Sequence, residues 1–205
     1  MNVPFVKARY FTSVPVSSPR RKDLIVLHTM ENAEKPGSAL AVARWLQTVM
    51  PKPVSFHYGV DAEQVVQSVR DEDVAWAAPG TNHNGIHIEH VGRASQTPLQ
   101  WGDDFSSNEL QASAELCAQL CTKYQIPVKF IPAEQLLQGF RGVTTHAEVA
   151  KACELAQQRD MKASHFFNHK ANKPLTDHTD PGKGFPVDRY LELVQYITEW
   201  NDIVP

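Results

Sequence analysis

The feature that most constrains the fold is a strand-like apolar run followed by a helix-like stretch. Residues 23–30 read DLIVLHTM, a short apolar run ending in polar residues, which predicts a buried strand. Residues 37–50 read GSALAVARWLQTVM, with apolar residues at helical spacing, and Pro51 and Pro53 stop a helix there. Further strand-like and helix-like stretches follow. We therefore predict one α/β domain with a mixed central β-sheet flanked by helices.

The remaining elements follow from the same periodicities. Short apolar or alternating runs predict strands, apolar residues three and four apart predict helices, and a proline opens one helix. The predicted strands cover residues 55–60, 64–69 and 85–92, and the predicted helices cover residues 108–124, 132–138, about 148–159 and 187–200. We assign residues 1–22 to an irregular N-terminal arm and residues 23–205 to the domain. A polar segment at about 147–177 is long for a connection, and long connections are often functional.

Composition and charge exclude several classes of protein. With 42% hydrophobic and 21% charged residues in a chain of 205, we expect a folded core rather than global disorder. The net charge of −3 gives no case for a nucleic-acid partner. The N-terminal stretch lacks the apolar region of a signal peptide, and no run approaches the roughly 20 apolar residues of a membrane span. We therefore expect synthesis in the cytoplasm, no membrane insertion and a monomer.

The histidines mark the candidate site. His28 ends the apolar run at 23–30, and His146 ends a second strand-like stretch, GVTTH. Side chains at the ends of buried strands point into the crevice where α/β proteins place their sites. His178 and Asp180 lie two residues apart in DHTDPGKGFP, directly before a Pro-Gly turn. Imidazole and carboxylate are donors that catalytic Zn²⁺ uses, so we predict a zinc site at one end of the sheet.

Each of these residues also has a plainer explanation. A single histidine at a strand end is usually structural. An acidic residue such as Glu89, inside the strand-like run GIHIEHVG, is often a satisfied buried carboxylate or an exposed-face residue. His178 and Asp180 both have the chemistry of a metal ligand, and we favour Asp180 because the Pro-Gly turn fixes its backbone. Glu89 is then the candidate general base or acid beside the metal.

In chain order, the stretches LHT, SFHYGVD, a single W, IHIEHVG, THAEV and HTDPG resemble the type 2 N-acetylmuramoyl-L-alanine amidase family. That family includes phage endolysin amidase domains, bacterial cytoplasmic anhydro-muropeptide amidases and animal peptidoglycan recognition proteins. The resemblance covers about residues 23–190 and makes residues 23–205 a catalytic domain. It implies zinc-dependent hydrolysis of the amide between N-acetylmuramic acid and L-alanine, with peptidoglycan or a muropeptide as substrate.

The resemblance also implies roles for individual residues. His28, His146 and Asp180 match the three zinc ligands of the family. Glu89 matches the acidic residue that activates the attacking water and shuttles its proton. His178 falls where several relatives carry a lysine that stabilises the developing oxyanion. Zn²⁺ is therefore the expected cofactor.

Other matched positions are expected to bind substrate. His57 and Tyr58 match the HY of a strand that lines the site in the family. Trp76 matches the tryptophan of a WHAG motif, and Asn84 matches the asparagine that precedes the IxIE pattern. We add His87, which replaces the glycine of IGIE in relatives, to this candidate substrate-binding group.

The chain departs from the family pattern at three places. WHAG is WAAP here, so Ala77 replaces a histidine that is often near substrate. His87 adds an imidazole on the predicted face of the catalytic carboxylate, where it is expected to contact substrate, to tune that carboxylate or simply to pack. The segment at about 147–177 is longer than in compact relatives and is expected to form a lid or to extend the glycan groove. Its His165 and His169 are expected to be exposed loop residues.

The biological setting rests on the resemblance and on the N-terminal stretch. We expect a phage or prophage endolysin that is made in the host cytoplasm without a signal peptide and acts on the cell wall after release. A cytoplasmic muropeptide-recycling amidase is the main alternative. A non-catalytic peptidoglycan-binding module and a structural zinc domain are two further alternatives. Retention of all three ligand positions and of Glu89 favours an enzyme over both.

Overall fold

The apolar run at the start of the domain forms strand β1 (Leu24–Thr29), and all six of its residues are buried. A computed structural model describes residues 3–48 and 53–203 of the chain, the last three of them by backbone only. β1 lies between β4 (Gly85–His90) and β5 (Gly142–Thr145) and runs parallel to both. These parallel strands bring their carboxyl ends to one edge of the sheet.

Two short strands complete a five-stranded sheet. β2 (Tyr58–Val60) pairs in parallel with β4, and β3 (Val65–Gln67) pairs antiparallel with β2. The strand order is β3-β2-β4-β1-β5, so the sheet is mixed and the predicted fold class is confirmed. Both strands are shorter than predicted. Ser55 begins the stretch that was predicted as a strand at 55–60. Its main-chain N–H donates outside the sheet, to the carbonyl of Trp76 at 3.1 Å.

Five α-helices and one short 3-10 helix (Gln100–Gly102) accompany the sheet in the described part of the chain. Two begin earlier than predicted because a side chain caps their first turn. The Asp103 side chain accepts the N–H of Ser106, and the Thr145 side chain accepts the N–H of Glu148. The predicted end of the first helix, at residue 50, lies outside the described residues. The helices are α1 (Ser38–Thr48), α2 (Asp104–Tyr124), α3 (Ala133–Leu137), α4 (His146–Gln158) and α5 (Val187–Ile203).

The helices cover both faces of the sheet. Successive residues of a strand point to opposite faces. Ile25 and Leu27 therefore pack in one apolar layer with α2 and α5, whereas Leu24 and Val26 pack in a second layer with α3 and α4. α1 packs against β2 and β3. None of the helices in the described part of the chain has both the length and the apolarity to cross a membrane.

Residues 3–22 contain no helix or strand, and they lie against the sheet. The main-chain N–H of Val6 donates to the carbonyl oxygen of Gln67, in β3, at 2.8 Å. The guanidinium of Arg20 donates to the carbonyl oxygen of Gly85, the first residue of β4, at 3.1 Å. The arm therefore packs as part of the domain rather than apart from it.

The connection between α4 and α5, residues 159–186, contains no helix or strand. The stretch predicted as an insertion, at about 147–177, therefore consists of most of α4 followed by an irregular loop. DHTDPG lies in the last third of the connection, and its turn requires glycine. Gly182 has a φ of +87°, and a Cβ there would lie 1.8 Å from the carbonyl oxygen of Ala94.

Candidate metal centre

Two imidazoles meet where neighbouring parallel strands end. His28 is the fifth residue of β1, and His146 is the first residue after β5. Because β1 pairs with β5, the two rings come within 4.8 Å of each other, centroid to centroid, at an interplanar angle of 65°. Both side chains are buried, with 1% and 3% of their residue surface exposed. The topology of the sheet therefore places both histidines at one site.

The carboxylate of Asp180 lies between these imidazoles. Its Oδ2 is 3.0 Å from His28 Nδ1, and its Oδ1 is 3.1 Å from His146 Nδ1. The main-chain carbonyl of Asp180 accepts the N–H of Ala147, which ties the DHTDPG loop to the first turn of α4. His178 lies on the solvent side, with its Nδ1 3.5 Å from Asp180 Oδ1. The loop thus closes the centre with one carboxylate and one outer imidazole.

Burial and hydrogen bonding shift the pKa values of these side chains in different directions. Burial would raise the pKa of Asp180, but hydrogen bonds from His146, His178 and His28 hold that pKa well below its usual range. Burial would lower the pKa of His28, but Glu89 and Asp180 outweigh it and raise that pKa. Burial lowers the pKa of His146 to about 4. The bond to Asp180 raises the pKa of the exposed His178.

Glu89 faces the same space from the neighbouring strand. It is the register partner of His28, and its Oε1 lies 4.0 Å from His28 Nδ1. Its side chain is 15% exposed, and burial raises its pKa to about 8. Its Oε2 is buried and has no hydrogen-bond partner among residues 3–48 and 53–203. A carboxylate with one oxygen unpaired and a pKa near neutrality is suited to exchanging a proton with a reacting group.

The residues present fit a zinc ion. His28, His146 and Asp180 each offer one ligand atom, and these three atoms lie within 4.8 Å of one another. Two imidazole nitrogens and one carboxylate oxygen form a typical catalytic zinc set, which leaves one coordination position open. The second ring nitrogen of each histidine, Nε2, also has a hydrogen-bond partner. That of His146 lies 3.0 Å from Thr176 Oγ1, and that of His28 lies 3.0 Å from His87 Nδ1.

Comparison with known proteins agrees with this geometry. A family model described as N-acetylmuramoyl-L-alanine amidase matches residues 18–183. The chain belongs to this amidase family. N-acetylmuramoyl-L-alanine amidase A from Achromobacter lyticus is 33% identical over 172 residues, which cover 83% of this chain and 81% of that protein. The enzyme class is therefore N-acetylmuramoyl-L-alanine amidase, and the reaction is amide hydrolysis in peptidoglycan.

Solved structures share the fold of this amidase at low sequence identity. The Staphylococcus aureus hydrolase AmiA, solved in complex with its ligand, has a TM-score of 0.66 at 16% identity and covers 100% of this chain and 88% of its own. A selenomethionine derivative of AmpD has a TM-score of 0.59 at 17% identity and covers 93% of both chains. At these identities the likeness shows the fold alone.

Three of the candidate substrate-binding residues of the amidase are buried in its interior. His57 and His87 are both 0% exposed, and their rings stack at 5.6 Å. Tyr58 is 7% exposed, and its hydroxyl donates to the carboxylate of Asp71 at 2.6 Å. The structure therefore places these three candidates in the interior of the domain rather than on an exposed surface.

The two other candidate substrate-binding residues lie away from the metal centre. Asn84 precedes β4 and donates to the carboxylate of Asp23 at the amino end of β1, the opposite end from the centre. Trp76 stacks on Tyr10, and its indole N–H donates to the hydroxyl of Thr12. The structure therefore brings neither residue to the three zinc-ligand candidates.

Residues of the stretch at 147–177 line a groove that His178 also lines. This groove of about 770 Å³ lies between α4 and residues 172–179. His165 is exposed and packs against His83, with ring centroids 4.2 Å apart and an interplanar angle of 34°, in a separate cavity beside Asn84. His169 is also exposed. The loop therefore contributes a groove beside the centre, while its two histidines lie outside it.

Two residues that contact the buried histidines His146 and His57 were not singled out from the sequence. Thr176 is buried and offers its hydroxyl to His146, and Arg20 places a guanidinium nitrogen 2.8 Å from Nε2 of His57. Neither has a local signal, because threonine is common in loops and Arg20 lies in a run of basic residues. Only the closure of the loop and of the arm against the sheet identifies them.

Proposed function

We propose that this amidase hydrolyses the amide between N-acetylmuramic acid and L-alanine with a zinc ion held by His28, His146 and Asp180. One observation carries the proposal. The Asp180 carboxylate lies within 3.1 Å of the Nδ1 atoms of both histidines, with Glu89 beside them. The remaining nitrogens of both histidines have partners, which is the arrangement that zinc sites require.

The proton transfers are assigned to Glu89. Zinc, when bound, supplies a Lewis acid that polarises the scissile carbonyl and makes water more acidic. Glu89 takes the proton of the attacking water and returns it to the leaving amine. In the metal-free protein burial raises the pKa of Glu89 to about 8, closer to neutral pH, and a group whose pKa lies near the working pH can both take and return a proton.

We assign to His178 the role of stabilising the negative charge that develops on the substrate. Its side chain is 65% exposed and next to Asp180, so it can meet a substrate that approaches from solvent. The raised pKa favours the imidazolium form, and a positive donor beside a developing oxyanion stabilises it.

The biological role we propose is that of a phage or prophage endolysin. The enzyme would be made in the host cytoplasm, act as a monomer and reach the wall after release. An open setting of the centre supports a polymeric substrate. His178 is mostly exposed, and it also lines the groove of about 770 Å³ beside α4.

The test combines metal content with turnover. Purified protein is analysed for zinc by mass spectrometry, and new amino termini are counted on purified peptidoglycan with and without a chelator. We expect about one zinc per chain and release that is abolished both by the chelator and by Glu89→Ala. The exposed Glu192 of α5 offers a matched control, and Glu192→Ala keeps full activity. Zinc without release from any wall or soluble muropeptide would overturn the catalytic proposal.

The same assay distinguishes the two settings. An endolysin releases amino termini from intact wall. Turnover confined to soluble muropeptides would overturn the endolysin role in favour of a recycling enzyme. Sedimentation of the active species tests the monomer.

A further inference from the structure

Three buried imidazoles form a row beneath the metal centre. His57 on the β2 side, His87 on β4 and His28 on β1 are 0%, 0% and 1% exposed. The rings of His57 and His87 stack at 5.6 Å and 16°, and those of His87 and His28 lie 5.2 Å apart. His28 Nε2 is 3.0 Å from His87 Nδ1. The row thus ends on a nitrogen of a zinc-ligand candidate.

A histidine that binds zinc through one nitrogen carries its proton on the other and donates it to an acceptor that orients the ring. In His146 that second nitrogen faces the hydroxyl of Thr176 at 3.0 Å. In His28 the nitrogen facing Asp180 is Nδ1, so the second nitrogen is Nε2. The group that faces it is the imidazole of His87.

We infer that His87 is a positioning residue for the metal centre: its Nδ1 accepts the Nε2–H of His28 and so fixes the tautomer that presents His28 Nδ1 to zinc. The inference rests on the proposed zinc-dependent function. It assigns His87 a role other than substrate contact, because His87 is fully buried.

The surroundings of His87 fit an acceptor. The ring of His87 is 0% exposed, and burial disfavours the charged imidazolium, so one ring nitrogen keeps a lone pair. The main-chain N–H of His87 donates to His57 Nδ1 at 3.1 Å, which fixes the two residues together. At the other end of the row from His28, a guanidinium nitrogen of Arg20 lies 2.8 Å from Nε2 of His57.

The other nitrogen of His87 argues against a purely structural ring. Its Nε2 is buried and finds no hydrogen-bond partner in the chain as described, residues 3–48 and 53–203. A buried polar atom without a partner destabilises the folded protein. An apolar residue of similar size would avoid that cost, so the one satisfied nitrogen, which faces His28, is the reason for an imidazole here.

Two substitutions separate positioning from packing. His87→Phe fills the ring volume but has no acceptor, whereas His87→Asn places its Oδ1 near the position of Nδ1 but leaves part of the volume empty. Zinc affinity is measured by competition with a chromophoric chelator, and the stability of the metal-free proteins by thermal unfolding. Thr144→Val is the matched control, since it removes a different buried hydrogen bond, from Thr144 Oγ1 to the carbonyl of Ile131.

We expect His87→Phe to bind zinc about 10- to 100-fold more weakly than the wild type. His87→Asn recovers most of that affinity although it unfolds at a lower temperature than His87→Phe. Thr144→Val loses stability and keeps its zinc affinity. A folded His87→Phe that binds zinc as tightly as the wild type would overturn the inference and leave the proposed function standing. A wild type that binds no zinc would overturn both.

A spectrum of the wild type keeps the inference testable if His87→Phe does not fold. In zinc-loaded protein, the ¹⁵N resonances of His87 should show a proton on Nε2 and a hydrogen-bonded, unprotonated Nδ1. A proton on Nδ1 of His87 in the loaded protein would refute the assignment, because that nitrogen would then be a donor.

Discussion

The imidazole of His178 lies parallel to that of His146, at a centroid distance of 4.6 Å and an interplanar angle of 8°. The two rings share the carboxylate of Asp180 but differ in burial, since His146 is 3% exposed and His178 faces solvent. Burial lowers the pKa of His146 to about 4, whereas the bond to Asp180 raises the pKa of His178. The positive charge of the stack is therefore on its outer ring.

The first prediction is an alkaline loss of activity governed by His178. In the metal-free protein the hydrogen bond to Asp180 raises the pKa of His178 above the ordinary 6.5, and the imidazolium disappears as the pH rises through the pKa of His178. Activity should fall over that range, and His178→Ala should lower kcat on the order of 100-fold. His178→Lys should move the fall to higher pH. The pH profiles of kcat on peptidoglycan check this. If His178→Lys lost activity over the same pH range as the wild type, His178 would not be the positive charge that supports turnover.

The second prediction separates catalysis from stability at Glu89. Glu89→Gln should keep zinc and lose about 10²- to 10⁴-fold in kcat, because the amide cannot accept the proton. The pKa of Glu89 is raised from 4.5 to about 8, so the metal-free wild type loses stability as the pH rises from 4.5 towards 8. Glu89→Gln should lack this loss and be more stable above pH 8, by roughly 2–4 kcal/mol. Thermal unfolding of the metal-free proteins across this range measures it, and parallel curves would contradict the assigned pKa.

The third prediction concerns Asp180 in metal-free protein. Its pKa is lowered from 3.8, so its ionised form adds stability above pH 3.8 that is lost as the pH falls further. The raised pKa values of His28 and His178 add stability that is present below 6.5 and lost at higher pH. Wild type should therefore exceed Asp180→Asn in Tm most between these limits. A Tm difference that stays constant from acid to alkaline pH would argue against this charge network.

The fourth prediction tests the burial of Tyr58. Its hydroxyl donates to Asp71 at 2.6 Å, so Tyr58→Phe should cost about 1–2 kcal/mol of stability and leave kcat/KM unchanged. Tyr124 donates to the same carboxylate at 2.6 Å from a half-exposed position and provides a matched control, Tyr124→Phe, with a smaller cost. Denaturant unfolding and steady-state kinetics measure both. A raised KM in Tyr58→Phe alone would restore Tyr58 to the substrate site.

The sequence allowed the architecture and the centre to be predicted because both depend on strands that run in parallel. The run at β1 and the stretch before His146 were recognisable as buried strands, and parallel neighbours end at one edge, so His28 and His146 had to converge if their strands were adjacent. The Pro-Gly turn and the resemblance then brought Asp180 into the group. Glu89 follows from register, since it is the partner of His28.

Side-chain direction and loop closure were less predictable. His57 and Tyr58 are neighbours in sequence but are buried by different parts of the chain. Tyr58 packs in the layer that contains α2 and α5, whereas Arg20 of the N-terminal arm and the carbonyl of Asp73 contact His57. Asn84 precedes its strand and therefore lies at the opposite end from His28. Thr176 reaches His146 through a loop without regular structure, and the sequence contains no periodicity that would reveal that contact.

The three ligand candidates also determine when a metal can first bind during folding. His28 and Asp180 are 152 residues apart in the chain, and His146 directly follows β5, which is the last strand along the described chain. A site with such distant parts does not exist until long-range strand pairing and loop closure are complete, and contacts of this kind form slowly. Zinc held as proposed would therefore not nucleate this fold. It would be recruited by a nearly finished molecule, and a cell short of zinc would accumulate folded but inactive protein rather than unfolded chains.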